Sequence, residues 1–372
     1  MNSPVLSICI PAYNQSELLR DCLSKLIAYE GDDIEIVVND DCSPEDIQKI
    51  VSACHDERVK YYRNSINLGH DLNILQSFRN AKAQHAFLLR ARDCLIPSAI
   101  HSIVERIKQN PHLAYLIGSA VDEKGKKRLT YRKDSQYPKG EKAIDAHLQL
   151  LVHPSGSLYA IHLLDLDRIE KFMVSQFSHT YGFVIHTLIR LELAICGDFE
   201  ILSGVIWQYT HTLRATDVAV NSTKTKESVY SPRLSLERFT AEMKWAHLIL
   251  PPQYVMRVYT SVSKSYLTSV TWEFAQINED PYIHQHYNTA KVSFSMHEER
   301  DKFVNLAKSI AMECIEDPKT RREYFHYLRN LILKNKLCCF KYSMRHAIVT
   351  TLKKSKLIRS LYSRIKSRLS NS

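Results

Sequence analysis

Residues 35–43 read Glu-Ile-Val-Val-Asn-Asp-Asp-Cys-Ser, and this stretch decides the fold. Its apolar half is short and bounded by polar residues, which predicts a buried strand. That strand ends directly in two carboxylates, Asp40 and Asp41. Ligands of parallel α/β sheets bind beyond the carboxyl ends of the strands. The stretch therefore predicts both a strand of such a sheet and one wall of a ligand site.

On either side of this stretch, predicted strands and helices alternate. Strands are predicted at residues 5–12, 33–39, 59–63 and 86–89. Helices are predicted at residues 17–28, 72–83 and 97–107, and another begins at Ser43, with Ser43 as cap and Pro44 in its first turn. This alternation predicts an α/β fold with a mostly parallel sheet flanked by helices on both faces.

The chain beyond residue 120 is less regular. Residues 122–144 are highly charged and predict a mobile loop or a short hairpin, residues 181–196 predict a helix, and residues 201–206 predict a strand. From residue 234 onward the pattern is helical. We therefore predict an α/β domain at residues 1–225, a helical region at 226–335 and a basic tail at 336–372.

The composition is that of an ordinary globular protein, with 372 residues, 45% hydrophobic and 24% charged. The longest apolar runs fall short of the roughly 18 residues that span a membrane, so we expect no transmembrane helix. The start of the chain resembles no secretory signal. Nine cysteines without C-x-x-C spacing favour a reducing compartment.

The net charge of +10 is concentrated at the end of the chain. Residues 331–372 contain eleven Lys or Arg and no Asp or Glu, which leaves the remainder near −1. Within residues 345–369, apolar side chains recur at helical spacing, a pattern typical of a basic amphipathic helix on an anionic membrane surface. Packing of this helix on its own domain is an alternative. No nucleic-acid-binding motif accompanies the charge, so we expect no nucleic-acid partner.

Four segments in fixed order carry a family resemblance: residues 7–14 (Ser-Ile-Cys-Ile-Pro-Ala-Tyr-Asn), 35–43, 67–69 (Asn-Leu-Gly) and 87–94 (Phe-Leu-Leu-Arg-Ala-Arg-Asp-Cys). They resemble the N-terminal half of family 2 glycosyltransferases, of the bacterial surface-polysaccharide type that includes abequosyltransferases. The resemblance implies a GT-A (Rossmann-like) fold followed by a helical C-terminal region. It also implies transfer of a sugar, with inversion, from a nucleoside diphosphate sugar donor to a saccharide acceptor. That acceptor would be polyprenyl-linked, at the cytoplasmic face of the plasma membrane.

The resemblance assigns the donor site residue by residue. In the family, the first aspartate of the pair contacts the nucleobase beside the Pro-x-Tyr turn, and the glycine allows a tight turn near the nucleotide. The matching positions here are Pro11, Ala12, Tyr13, Asp40, Asp41, Asn67 and Gly69. Read without the family, the two aspartates are also compatible with a helix-capping loop, and residues 67–69 with an ordinary turn.

The metal motif departs from the family pattern. Where the family has a run of acidic residues, this chain has Ala91, Arg92 and Asp93. The resemblance implies that Asp93 ligates Mn²⁺ or Mg²⁺, with donor phosphates supplying further oxygens. Two alternatives stay open. Arg90 or Arg92 replaces the metal by neutralising the leaving diphosphate, or the site is inactive and the chain is a nucleotide-sugar-binding or membrane-associated scaffold.

An inverting transfer also needs a general base. The family places it before a helix that ends at glycine. Counting back from Gly197 puts His186 at that position, with His179 as the alternate. Histidine suits the task, although a histidine on an apolar helix face is often structural. His153 precedes a strand expected to line the acceptor side, while Trp207 and Tyr209 either stack on a sugar or pack in the core.

Overall fold

The strand predicted at residues 33–39 lies inside a ten-stranded sheet. A computed structural model of the chain describes residues 3–122, 124–149, 156–177, 184–209, 232–277 and 296–354. The chain divides into two units, residues 1–258 and 259–372. The strands are β1 (Leu6–Ala12), β2 (Ile34–Asp40), β3 (Val59–Arg63), β4 (His85–Leu88), β5 (Cys94–Leu95), β6 (Leu113–Asp122), β7 (Lys127–Leu129), β8 (Ser135–Tyr137), β9 (Ser157–Ala160) and β10 (Asp198–Tyr209).

In the first half of the chain the described helices alternate with strands, as predicted. After β10 every described element is a helix. They are α1 (Ser16–Leu26), α2 (Ile47–Ser52), α3 (His70–Asn80), α4 (Pro97–Gln109), α5 (Glu141–Gln149), α6 (Leu166–Gln176), α7 (Ile185–Cys196), α8 (Pro232–Ile249), α9 (Pro252–Ile277), α10 (Met296–Cys314) and α11 (Pro318–Lys354). The part of the chain that the structure describes contains no helix with both the length and the apolarity of a membrane span.

The sheet is mixed, and its parallel portion carries the predicted site. The strand order is β3-β2-β1-β4-β9-β6-β10-β5, with β7 paired to β6 and β8 to β10. Strands β1 to β4 run parallel, β9 is antiparallel to both β4 and β6, and β6 is parallel to β10. The α/β architecture is thus confirmed. Because β1 to β4 run parallel, their carboxyl ends meet at one edge of the sheet.

Helices cover both faces of this parallel portion. Every residue of β2 is buried. On one face, Ile36 and Val38 share an apolar cluster with residues of α1 and α2. On the other face, the Asn39 side-chain amide donates to Asn73 Oδ1 of α3 at 2.7 Å. Burial on both sides explains why the sequence of β2 reads as a continuous apolar run rather than an alternating one.

The predicted helix start at Ser43 is wrong. Helix α2 begins at Ile47, and its cap is Asp46, whose Oδ1 accepts from the Lys49 N–H at 3.0 Å. Ser43 is held at the end of β2 instead, because its own N–H donates to Asp40 Oδ1 at 2.9 Å. The charged segment after residue 122 contains β7, which pairs antiparallel with β6, so the hairpin alternative is confirmed.

The predicted domain limits remain predictions. The limit at residue 225 lies outside the described residues, and the limit at 335 falls within α11. Helix α8 belongs to the first unit and packs on α7, where the Trp245 indole N–H donates to the Leu188 carbonyl at 3.0 Å. In the second unit, Tyr324 packs edge-on against Tyr259, and their ring centroids lie 5.6 Å apart.

A buried ionisable pair joins α5 to α8 and predicts a pH-dependent stability. His147 Nε2 and Glu242 Oε1 lie 3.8 Å apart. Burial raises the pKa of Glu242 from 4.5 to about 7, and burial also holds the pKa of His147 well below its usual value of 6.5. Because its pKa is higher in the folded state, the Glu242 carboxyl contributes its full stabilisation below pH 4.5. This contribution is lost as the pH rises through about 7.

We therefore expect the free energy of unfolding to fall by about 2 kcal/mol across this window through Glu242 alone. Glu242→Gln should flatten that part of the dependence, since an amide does not ionise. Urea unfolding at about pH 5 and about pH 8 measures both proteins. An equal fall in the two proteins would contradict the assignment to Glu242.

Candidate active site

The ends of β1 and β2 form one continuous wall at the edge of the sheet. Ala12 and Asp40 are register neighbours on the two strands, and the Asp41 N–H donates to the Ala12 carbonyl at 2.9 Å. Beyond them, the Asn14 N–H donates to Ser43 Oγ at 3.1 Å. The segment with Pro11, Ala12 and Tyr13 therefore lies beside the aspartate pair, as the sequence predicts for a nucleotide site.

The Asp40 carboxylate is buried and already surrounded by donors. Its Oδ1 accepts from the Ser43 N–H, and its Oδ2 accepts from the Tyr61 hydroxyl at 2.9 Å and from the Arg63 guanidinium. Burial raises the pKa of Tyr61, which keeps that hydroxyl protonated as a donor. Asp40 thus holds Arg63 at the mouth of the site, where the arginine side chain is partly exposed.

Asp41 shapes the turn that precedes α3. Its Oδ1 accepts from the Leu68 N–H at 2.7 Å and its Oδ2 from the Gly69 N–H at 2.8 Å, while the Asn64 amide donates to Oδ1 at 2.9 Å. Gly69 has a φ of 87°, a conformation that favours glycine. The carboxylate at the end of one strand therefore orders the 67–69 turn that follows the next strand.

Replacing Asp41 with alanine should destabilise the protein, because two backbone N–H groups and one amide lose their acceptor inside the fold. We expect the free energy of unfolding to fall by about 3 kcal/mol. Chemical denaturation measures this loss, with Glu30→Ala as a control at an exposed acidic residue. A loss no larger than that of the control would show that Asp41 does not hold the turn.

The loop after β4 contains an ion pair where the family has its acidic run. Arg90 Nε donates to Asp93 Oδ2 at 2.8 Å, and Arg90 Nη2 donates to Asp93 Oδ1 at 3.0 Å. The Asp93 N–H also donates to the Arg90 carbonyl at 2.9 Å, which closes a tight turn. Asp93 is buried, and the partly exposed Arg92 lies within the same turn.

These residues, as arranged, do not fit a divalent cation. Such an ion takes oxygen ligands, usually including carboxylates, and both oxygens of Asp93 already accept from Arg90. Across the described ranges, no group of three His, Cys, Asp or Glu side chains is arranged to hold a metal. The cation nearest to Asp93 in this arrangement is a guanidinium.

The two aromatic candidates on β10 have different surroundings. Trp207 is fully buried, and a Cβ on Gly156 would lie 2.3 Å from its indole ring, so Trp207 packs in the core. The guanidinium carbon of Arg90 lies 4.9 Å from the centroid of the Tyr209 ring. Tyr209 is half-buried against the edge of the core, and its ring also holds the Arg90 guanidinium through a cation–π contact.

Two histidines from distant parts of the chain meet beside α3. The rings of His70 and His186 pack edge to face, with centroids 5.9 Å apart. His186, in the first turn of α7, is 5% exposed, and its Nδ1 lies 3.3 Å from the Tyr159 hydroxyl. The His70 side chain is 28% exposed. His70 is thus the more accessible ring of the two.

Asp71 links this pair of histidines to α7. Its Oδ1 lies 2.6 Å from His70 Nδ1, and its Oδ2 accepts from the Val184 N–H at 3.0 Å. A carboxylate that orients a partly exposed imidazole is an arrangement suited to proton transfer. The same carboxylate fixes the start of the helix that carries His186.

Sequence reasoning missed three of these side chains: Tyr61, Arg63 and His70. Period-two alternation places Tyr61 and Arg63 on the same side of β3, one strand from Asp40, and this signal was available. His70 directly follows Gly69, but its proximity to His186 depends on the fold. His153 and His179, which the sequence singled out, lie outside the described residues.

Comparison with known proteins agrees with this architecture. Residues 7–163 match the family model described as Glycosyl transferase family 2. An uncharacterised glycosyltransferase of Rickettsia typhi is 25% identical over 62% of this chain and 71% of its own length. The abequosyltransferase of Salmonella typhimurium is 30% identical over 26% of this chain and 30% of its own. A Campylobacter jejuni enzyme named GalNAc(5)-diNAcBac-PP-undecaprenol beta-1,3-glucosyltransferase is 27% identical over 32% of this chain and 40% of its own.

Among solved structures, S. aureus TarS 1–349 in complex with UDP-GlcNAc has a similar fold. It aligns with a TM-score of 0.62 over 91% of each chain, at 14% sequence identity. This similarity extends the agreement in fold well beyond the residues that the family model matches. The predicted fold is confirmed, and so is the predicted resemblance to family 2 glycosyltransferases, whose family model matches residues 7–163.

Proposed function

We propose that this glycosyltransferase moves a sugar from a nucleoside diphosphate sugar to a lipid-linked saccharide in surface polysaccharide synthesis, with inversion. The observation that carries the proposal is the single sheet edge that gathers the ends of β1 to β4. In the reaction, the acceptor hydroxyl oxygen bonds to the anomeric carbon while the bond from that carbon to the diphosphate oxygen breaks. The base takes the hydroxyl proton, and the diphosphate leaves with the electron pair.

The nucleotide half of the donor is assigned to the wall formed by β1, β2 and the turn before α3. Its residues are Pro11, Ala12, Tyr13, Asp40, Asp41, Asn67 and Gly69. Within this set, Asp41 acts by shaping the turn, since backbone and amide donors occupy its oxygens. Asp40 is assigned to the nucleobase through Tyr61 and Arg63, both of which donate to it, because donors occupy its own oxygens as well.

The diphosphate is assigned to Arg90 and Arg92. Two guanidinium groups accompany the single carboxylate of Asp93 in this loop, which leaves a net positive charge to neutralise the leaving group. Asp93 positions Arg90 through its two hydrogen bonds. The sequence prediction of Mn²⁺ or Mg²⁺ at Asp93 competes with this assignment, because it requires Arg90 to leave the carboxylate.

Calorimetric titration with a panel of nucleoside diphosphates and their sugars, in Mn²⁺ and in EDTA, tests the donor site. We expect at least one nucleoside diphosphate sugar to bind with equal affinity under both conditions, because the charge is balanced by arginine. Binding only in Mn²⁺ would assign the diphosphate to a metal at Asp93 and contradict the arginine assignment. A panel in which no donor binds would contradict the proposed function itself.

The general base is assigned to the pair of histidines. His186 is the candidate that the family pattern predicts. His70 is a second candidate, favoured by its greater exposure and by the carboxylate of Asp71 at its Nδ1. We propose that His70 takes the acceptor proton and that His186 packs behind it. Separate substitution of the two histidines tests this assignment.

The acceptor is assigned to the class of polyprenyl-linked saccharides. The Campylobacter jejuni relative is named for a saccharide linked to undecaprenol, which supports this class. The basic tail supports it too, because eleven Lys or Arg without an acidic residue suit an anionic membrane surface. We accordingly propose a peripheral location at the cytoplasmic face of the plasma membrane. The part of the tail after residue 354 lies outside the described residues.

A second candidate function is donor binding without transfer. It is favoured by Ala91 and Arg92 in place of the acidic run, and by the pairing of Asp93 with Arg90. Hydrolysis of the bound donor in water distinguishes the two functions, because an active site releases nucleoside diphosphate even without an acceptor. Donor binding with neither hydrolysis nor transfer would favour the binding protein.

A further inference from the structure

Helix α11 has two opposite faces, of which one packs within the second unit. On that face, the Tyr324 hydroxyl lies 2.8 Å from Ser263 Oγ, and the Asn335 amide donates to the Leu267 carbonyl at 2.8 Å. Cys339, one turn beyond Asn335, is also buried. These contacts fix the rotation of the helix about its axis, so the direction of the opposite face follows.

The opposite face carries a line of large apolar side chains, which we call the α11 stripe: Leu333, Leu337, Phe340 and Met344. Their spacing of four, three and four residues places them one above another on a helix. Each is between 51% and 64% exposed. An apolar surface of this kind on a soluble domain marks an interaction site.

Basic residues border the α11 stripe on both sides. At about 100° per residue, Arg329 and Lys336 lie along one border, and Lys334 and Lys341 along the other. All four side chains are exposed, and the sequence contains no acidic residue after Glu323. An apolar stripe between two rows of cations is the pattern of a helix that lies in the plane of a membrane interface.

We propose that the α11 stripe inserts into the surface of an anionic bilayer. Its side chains lie among the acyl chains, and the bordering cations contact lipid phosphates. The choice of a membrane rests on the proposed function, in which the acceptor is lipid-linked. The α11 stripe ends at Met344, before the apolar pattern of residues 345–369. All four of its side chains lie in the part of the chain that the structure describes.

Charge argues for lipid over a second copy of the chain as the occupant. If two copies paired along their α11 stripes, the bordering cations of both helices would face one another without acidic partners, which is repulsive. An anionic bilayer complements the same cations. Each Lys or Arg near such a surface adds to the attraction, and high salt weakens it.

Flotation of the full chain with vesicles tests the apolar part of the proposal. We expect binding to vesicles of phosphatidylglycerol and phosphatidylcholine, and little binding to phosphatidylcholine alone. The double variant Leu337→Ser with Phe340→Ser should lower the partition coefficient at least about tenfold, since two large apolar side chains no longer insert. The matched control is Val174→Ser with Leu248→Ser, which removes two apolar side chains of similar exposure elsewhere. Equal binding by both double variants would overturn the proposal.

Charge reversal tests the cationic borders. Lys334→Glu, Lys336→Glu and Lys341→Glu together should reduce binding at least about tenfold at low salt. The control reverses Lys25, Lys171 and Lys308, which are also exposed. Sedimentation equilibrium tests the alternative occupant, a second copy of the chain. A wild-type dimer that dissociates in the Leu337→Ser, Phe340→Ser variant would overturn the membrane assignment in favour of that second copy.

Transfer to a soluble acceptor fragment separates this inference from the proposed function. The stripe variants should keep transfer to the soluble acceptor while losing vesicle binding. Wild-type protein that binds vesicles through the stripe without any transfer would contradict the proposed function and leave the membrane surface supported. If the wild-type protein transfers sugar but does not bind vesicles, only the proposed membrane insertion of the α11 stripe would be overturned.

Discussion

Replacement of Arg90 by glutamine and of Asp93 by asparagine in one protein is expected to lower kcat/KM for sugar transfer by about 10²–10³-fold. The double variant removes the guanidinium and neutralises its buried partner together. It thereby avoids an unpaired buried carboxylate, which would unfold the site for an unrelated reason. The expected loss arises because the leaving diphosphate no longer meets a cation held in place by Asp93.

Assay of the variants with and without Mn²⁺ distinguishes the arginine from a metal. If Arg90 neutralises the diphosphate, wild-type activity is equal in Mn²⁺ and in EDTA, and Asp93→Asn, which keeps the guanidinium, loses less activity than the double variant. If Asp93 is a metal ligand, wild-type activity requires Mn²⁺, and Asp93→Asn loses as much activity as the double variant. The matched control is Arg257→Gln with Asp145→Asn, an exposed arginine that donates to both oxygens of an aspartate. A comparable loss in the control would contradict a specific role for Arg90.

Replacement of His70 by glutamine is expected to lower kcat by about 10²–10⁴-fold, the range that a general base contributes. Donor affinity measured by calorimetry should change little, because the base acts on the acceptor hydroxyl. His186→Gln should lose less than about tenfold if His186 only packs behind His70.

The reverse pattern would return the role of base to His186, as the family pattern predicts. Asp71→Asn is a further test of the role of His70. The amide oxygen can still accept from the Val184 N–H, but the negative charge beside His70 is removed. We expect Asp71→Asn to lower kcat for transfer without a large change in thermal stability. Full activity in His70→Gln and in His186→Gln would exclude both histidines.

The sequence of residues 5–100 was enough to predict four strands, the helices between them and the common edge at which the strands end. Strand β2 was predictable because burial on both faces leaves a continuous apolar run, and parallel order follows from the intervening helices. The start of α2 was not predictable from its own residues. Ser43 and Asp46 are both good caps, and the choice depended on Asp40, which holds the Ser43 N–H at the strand end.

The residue types of the site were determined by the sequence, whereas their partners were decided by the tertiary structure. Asp40 and Asp41 look equivalent in the chain, but one faces Tyr61 and Arg63 on β3 and the other faces the backbone of the 67–69 turn. His70 and His186 are far apart in sequence and meet only because the fold brings the start of α3 beside the start of α7, where Asp71 Oδ2 accepts from the Val184 N–H. Local patterns record which face of an element is buried, but hydrogen-bond partners depend on distances between elements. Only the folded chain sets those distances.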